Sequence, residues 1–299
     1  MRSPRFLVLA HLIALGFGLG GLLIALPNPE LWADSELGRQ TYEFGMEYAG
    51  SLHIVLGAVA MFVFGVKVLG WARTAIFFVV SCGLSLASEL IGTGTGWPFG
   101  NYEYTSFLGY KILDHVPFTI PLSWFYMGLA SYLLARAVVI RRGWGPVEPL
   151  ALGLGVWLLL VWDLVLDPAM AHEDLGVRFW EWNETGPYFG MPVQNYVGWA
   201  ATGLLFMAIS RGLWGDVPDP NRSEIWVPLG IYVANTVFAM ALSASVDLYT
   251  PIALSAVLGL LPALLAVPGG ASGSGRTGGG RTEPARRAEE PSLRPSPSR

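Results

Sequence analysis

An ionisable side chain inside a membrane-spanning helix costs about 2.5 to 3.5 kcal/mol at the helix centre, so each one present is a place to look for chemistry. In this chain the acids deep or nearly deep in long apolar runs are few: Glu89, Asp163, Asp167 and Asp247. Asp163 and Asp167 stand four residues apart, which on a helix places both on one face, about 6 Å apart along the axis. Two carboxyls that close in a poorly hydrated site resist double ionisation, so one holds a proton beside a free carboxylate. That pair is an acid and a base side by side. The plainer reading is that Asp167, followed by Pro168, ends its helix and faces interfacial water.

Two segments near these acids are rich in aromatic residues and glycine, ELIGTGTGWPFGNYEYTSFLGYK from Glu89 to Lys111 and RFWEWNETGPYFGMPVQNYVGW from Arg178 to Trp199. Aromatic residues at a membrane boundary are ordinarily interfacial anchors. Their faces also stabilise a nearby cation, by about 2 kcal/mol or more when water is excluded. Acid, aromatic walls and a lipid-embedded site together suit the protonation of an electron-rich alkene in an apolar substrate. The resulting carbocation is then captured by water or by another double bond.

Composition says what must position these groups. Of 299 residues, 53% are apolar and 13% charged, about half the charge of a soluble protein. We read an all-α, polytopic integral membrane helix bundle. Eight apolar runs are long enough to cross a bilayer, with approximate limits 6–26, 49–68, 74–91, 118–140, 147–167, 193–209, 225–243 and 251–267. The sixth and eighth are the shortest, so seven spans is the alternative. Lys and Arg concentrate in cytoplasmic loops, and an inside N-terminus puts fifteen of the 18 basic residues on one side, leaving only Arg39, Lys111 and Arg178 opposite. Eight spans, both termini cytoplasmic, and deep acids gathered at the non-cytoplasmic boundary follow. Residues 1–267 form the transmembrane catalytic domain in this reading. Residues 268–299, rich in Gly, Pro, Ser and Arg, form a disordered cytoplasmic tail.

Several familiar patterns drop out. Gly16, Gly18 and Gly21 match a dinucleotide fingerprint, but inside a spanning run with no strand before it they suit close helix packing better. His11, His53, His115 and His172 are scattered, which excludes the clustered ligands of a di-iron oxygenase; His11 and His53 read as packed residues. The lone Cys82 allows no intrachain disulfide or thiolate metal pair. No metal site and no nucleic-acid partner are expected, and oligomeric state is not readable.

A finer pattern remains: Glu89, Gly92, Thr93, Thr95-Gly96, Pro98-Phe99-Gly100, Tyr102 and Tyr104, then Pro117, Ile120-Pro121-Leu122 and Trp124-Phe125, then Asp163, Asp167-Pro168, Trp180, Trp182, Tyr188-Phe189-Gly190, Gln194-Asn195 and Gly198-Trp199. Over roughly residues 45 to 250 it resembles the membrane-bound carotenoid 1,2-hydratases of bacteria and haloarchaea, which add water to the acyclic end of γ-carotene, lycopene or C50 carotenoids. The resemblance implies a hydro-lyase of carotenoid biosynthesis that needs no redox cofactor and acts on an apolar carotenoid in the lipid. The roles are assigned from residue chemistry. Glu89 or Asp163 protonates the terminal double bond, and Asp167, with Asn195 or Tyr102, positions a water and accepts its proton. Trp97, Phe99, Trp124, Phe125, Trp182, Tyr188 and Trp199 line the cation pocket.

Three rivals stand beside this reading. A carotenoid cyclase would use the same protonation without water. A prenyl-transferring elongase would need an acidic cluster spaced differently from Asp163-Leu-Val-Leu-Asp167. A proton-coupled transporter would be expected to show inverted repeats, and none is visible.

Overall fold

A computed structural model describes residues 4–218 and 224–267. The tail from residue 268 onward, with its six arginines, lies outside the described residues, as do Arg2 and Arg222. Each of the eight apolar runs forms a helix. They are α1 (Pro4–Gly20), continued by a π-helical turn at Gly21–Ala25, α2 (Glu36–Val68), α3 (Trp71–Thr95), α4 (Thr119–Arg142), α5 (Val147–Met170), α6 (Val193–Leu213), α7 (Trp226–Ser245) and α8 (Tyr249–Ser255). A π-turn, Ala256–Leu260, and a last helical turn, α9 (Leu261–Leu264), extend α8. Among the described residues, six helices are long and apolar enough to cross a membrane: α1 with its π-turn, α2, α3, α4, α5 and α7. The molecule is an all-α polytopic membrane bundle.

Local chemistry sets the ends. Ser35 caps α2, its hydroxyl accepting from the Gly38 N–H at 2.9 Å. Glycines in the left-handed region close α3 at Gly96 (φ 77°) and α4 at Gly143 (φ 65°). The centre of the bundle is α4, which packs against α2, α3, α5, α6 and α7. It is the least apolar of the six long helices and the most enclosed. Those properties belong together: a helix shielded from lipid carries Ser123, Tyr126, Ser131, Tyr132 and Arg136, all buried, whereas lipid-facing positions need the Ile13, Val79, Val197 and Val237 found exposed on the outer helices.

Three features depart from the sequence expectations. Helix α2 begins at Glu36, well before the expected start at residue 49, because hydropathy detects only its apolar stretch and the charged first turns still form helix. Helix α5 runs past Asp167 and Pro168 to Met170. Pro168 has no N–H for the Leu164 carbonyl, and the Tyr188 hydroxyl donates to that carbonyl instead, at 3.1 Å. Of the glycine triplet only Gly18 approaches a neighbour, its added Cβ lying 3.9 Å from the Ala49 Cβ, while Gly16 and Gly21 face open space. Close packing therefore does not account for the triplet; Gly18 and Gly21 border a cavity.

Small β elements join the aromatic loops. Strand β1 (Tyr102–Tyr104) follows α3, β2 (Lys111–Ile112) pairs with β3 (Val116–Pro117), and β4 (Trp180–Trp182) follows α5. Strand β1 runs antiparallel to β4 with Tyr102 opposite Trp182 and Tyr104 opposite Trp180. Alternation along a strand turns Tyr102 and Tyr104 inward and leaves Glu103 exposed.

Candidate active site

Glu89 lies on α3 about two turns before its glycine cap, and it is 3% exposed. Both its oxygens are occupied. Tyr102 and Tyr104 donate their hydroxyls to Oε2, the second at 2.9 Å, and the Trp124 indole N–H donates to Oε1 at 3.0 Å. Thus one turn of α3, one strand and one turn of α4 converge on a single carboxyl. Burial first, and the Glu89 carboxyl second, hold the Tyr102 and Tyr104 phenols well above the ordinary phenol range. Both stay protonated and act as donors.

Asp163 and Asp167 lie on the inward face of α5, at 0% and 5% exposure. The Asn195 amide, in the first turn of α6, donates to Asp163 Oδ2 at 3.2 Å and to Asp167 Oδ2 at 2.5 Å. Asp163 Oδ1 is buried with no hydrogen-bond partner. Among the described residues, every hydrogen bond to the three carboxyls comes from a neutral group: two phenols, one indole and one amide.

Two of the three carboxyls border a cavity of about 550 Å³. Glu89, Asp167 and Asn195 stand in its wall with Tyr102, Tyr104, Trp124, Trp162, Trp182 and Trp199. Asp163 is set one layer behind. Much of the rest of the wall comes from α1, its π-turn, the connection that follows and α2, including Phe17, Leu22, Trp32, Tyr42, Met46 and Ile54. Trp124 stacks on Trp199 with ring centroids 3.9 Å apart, and Trp182 lies 5.1 Å from Tyr102. Phe99 reaches the cavity through a slot between α3 and α6. A Cβ on Gly92 would meet its ring at 2.9 Å, and one on Gly198 at 2.7 Å, so both helices need glycine there.

The five residues expected to act on the substrate, Glu89, Asp163, Asp167, Asn195 and Tyr102, are gathered in one cluster. Of the expected lining residues, Phe99, Trp124, Trp182 and Trp199 border the cavity and three others are elsewhere. Trp97 is 66% exposed at the end of α3. Phe125, one residue beyond Trp124, points the other way into a cluster with Phe62, Phe77 and Phe78, since neighbours on a helix diverge by about 100°. Tyr188 serves α5 at the Leu164 carbonyl and packs on Tyr196 at 5.3 Å. Asp247 is exposed, taking a hydrogen bond from Tyr249 at 2.8 Å, and stays outside the cluster. Tyr104 and Trp162 were not singled out as site residues. The alternation Tyr-Glu-Tyr at 102–104 is the signal that finds Tyr104 once it is read as a strand.

Among the described residues, no group of three or more His, Cys, Asp or Glu has the arrangement to hold a metal ion. The site offers proton transfer and electrostatic stabilisation of positive charge in an apolar chamber.

Comparison with known proteins gives the family. The chain is 34% identical over 131 residues to the bisanhydrobacterioruberin hydratase of Haloarcula japonica, a match covering 44% of this chain and 42% of that relative. The aligned stretch thus spans less than half of the relative's length. No solved structure matches. The family described as carotenoid biosynthesis protein matches residues 49–262, a range that takes in all three carboxyls and both aromatic loops. With most of its length matched, the chain belongs to the carotenoid biosynthesis protein family.

Proposed function

We propose that this protein adds water across the terminal double bond of an acyclic carotenoid end group, such as that of γ-carotene or lycopene, giving a tertiary alcohol. The observation that carries the reading is a buried three-carboxyl cluster, bonded only by neutral groups, two of whose members, Glu89 and Asp167, stand in the wall of an apolar, aromatic cavity. A relative whose name is that of a hydratase supports it. The enzyme is a hydro-lyase that works without a cofactor, in the cell membrane, with both termini cytoplasmic. The carboxyl end of the bundle then faces the opposite boundary, where water is at hand.

Hydrogen-bond accounting distributes the roles. Glu89 already receives three donors, an arrangement suited to a carboxylate. Asp163 and Asp167 share a single amide donor, and one proton between them completes the pair. Asp167, the member in the cavity wall, delivers that proton to the carbon of the terminal double bond that bears hydrogen. The π electrons form the new C–H bond, and positive charge develops on the carbon bearing two methyl groups. The Glu89 carboxylate and the faces of Trp124, Trp182 and Trp199 stabilise it. A water oxygen then bonds to the cation, and its surplus proton returns to Asp167. One water is consumed, no electrons are transferred, and the acid is restored.

Incubation of the membrane-embedded protein with lycopene in water labelled with heavy oxygen tests this. A labelled tertiary alcohol, heavier by one water, is the expected product. An isomer of unchanged mass would identify a cyclase, with an internal alkene capturing the cation. Unchanged pigment from well-expressed protein would overturn the reading.

A further inference from the structure

Deeper along α4 the cavity meets a second polar group that the proposed reaction does not use. His11 of α1, His53 of α2, Tyr126 of α4 and Asn235 of α7 are all buried, and their hydrogen bonds fix the position of every proton. A carbonyl only accepts, so His11 Nδ1–H donates to the His53 carbonyl at 2.7 Å and His53 Nδ1–H donates to the Ala49 carbonyl at 3.0 Å. His11 Nε2 is then an acceptor, and the Asn235 amide donates to it at 3.0 Å. The other amide proton goes to the Ile231 carbonyl at 2.8 Å, and Asn235 Oδ1 accepts from the Tyr126 hydroxyl at 2.8 Å. One polar atom is left over. His53 Nε2 carries a lone pair, no protein donor among the described residues meets it, and His53 stands in the cavity wall beside Asn235 and Phe238.

Bonding α1, α2, α4 and α7 together explains three of these residues. It does not explain why the fourth turns an unmatched acceptor toward an apolar chamber, where such a group is costly and an aliphatic side chain would not be. We infer that His53 Nε2 accepts a hydrogen bond from an O–H group held in the cavity, either the hydroxyl of a polyene alcohol or a water molecule. The chamber then has two polar stations, the carboxyl cluster that reacts and a neutral anchor that orients. This rests on the reading that the cavity takes a carotenoid.

The test uses purified full-length protein and the variants His53→Phe, His53→Leu and His53→Gln, the last keeping an acceptor oxygen. Binding of two acyclic carotenoids of equal length, one with a terminal hydroxyl and one without, is followed by quenching of tryptophan fluorescence, and turnover is measured separately. If the O–H belongs to the ligand, the Phe and Leu variants bind the alcohol about five- to tenfold more weakly, the loss of one hydrogen bond. They bind the hydrocarbon as wild type does, and Gln recovers most of the loss. If the O–H belongs to water, both affinities hold while kcat falls by a similar factor and recovers with Gln. Equal losses for both pigments, no change in any readout, or a Gln variant no better than Leu would overturn the anchor. Because binding is read without turnover, wild-type protein that binds carotenoid and forms no alcohol counts against the hydratase reading alone.

Discussion

The two ends of the bundle treat buried charge in opposite ways. At the end where α4 and α6 finish and α5 begins, Glu148 is paired with Arg211 at 2.7 Å and Arg136 at 3.4 Å, and it also accepts from the Tyr132 hydroxyl at 2.9 Å. Arg136 also donates to the carbonyls of Pro218 and Val217, at 3.0 and 3.1 Å, and Arg73 binds those of Trp214 and Asp216 at 3.2 and 2.6 Å. Opposite charges meet there and fasten the connection after α6. At the other end three carboxyls are buried with neutral donors only, beside a cavity. A buried ion pair can be structural; a buried acid cluster without cations costs stability and is explained by what it does to a ligand.

The contrast predicts different kinds of damage. Glu89→Gln and Asp163→Asn should each lower hydration by at least about a hundredfold, the usual range for a lost acid–base group. The amount of folded protein in the membrane should be unchanged, because each variant removes a desolvated acid and keeps its shape. Pigment mass analysis beside fluorescence-detected size exclusion checks both parts, and full activity in either variant would remove the acid cluster from the mechanism. At the opposite end Glu148→Gln should do the reverse. It takes from Arg136 and Arg211 the carboxylate they share, so stability should fall by about 1 to 3 kcal/mol, seen as a lower melting temperature. Turnover per folded molecule should stay within about twofold, since none of the residues named at that end lines the chamber.

Much of this contrast is legible in the sequence, and the gaps have physical causes. Basic residues at one set of helix ends and Glu89, Asp163 and Asp167 at the other follow from counting charges between apolar runs. The i, i+4 spacing correctly places both aspartates on one inward face. Hydropathy misses the first turns of α2 because Glu36, Arg39, Glu43 and Glu47 interrupt the apolar pattern without interrupting the helix. The β1–β4 pairing is invisible because two three-residue strands 75 residues or more apart in sequence carry no local signal of their partnership. That pairing is what presents Tyr104 to Glu89. Composition also cannot tell a cavity aromatic from one packed between helices: Trp124 and Phe125 are adjacent in sequence and point into different environments.

Within the carboxyl end, donors should matter less than acids. Tyr102→Phe removes one of the two phenols on Glu89 Oε2 while Tyr104 still donates to that oxygen at 2.9 Å, so a loss of about five- to tenfold in kcat is expected, one hydrogen bond's worth. The double change to phenylalanine at Tyr102 and Tyr104 should cost more than the product of the single losses, because only then is Oε2 left without a donor. Simple multiplication of the two effects would show that the phenols act independently of Glu89.

The smallest effect is expected where the sequence pattern is most suggestive and the structure least so. Trp97 sits in the middle of the matching loop, yet it is 66% exposed and absent from the cavity wall. An exposed side chain away from any cavity or network changes stability by less than about 0.5 kcal/mol, so Trp97→Ala should leave kcat within about twofold. Trp124→Ala, one indole for another, removes a donor to Glu89 and the face stacked on Trp199 at 3.9 Å. If the two alanine variants lose activity alike, exposed and buried aromatics contribute equally and the chamber is not the site of reaction. If only the second loses it, the distinction between anchoring and cation-facing aromatics is drawn by burial, not by residue type.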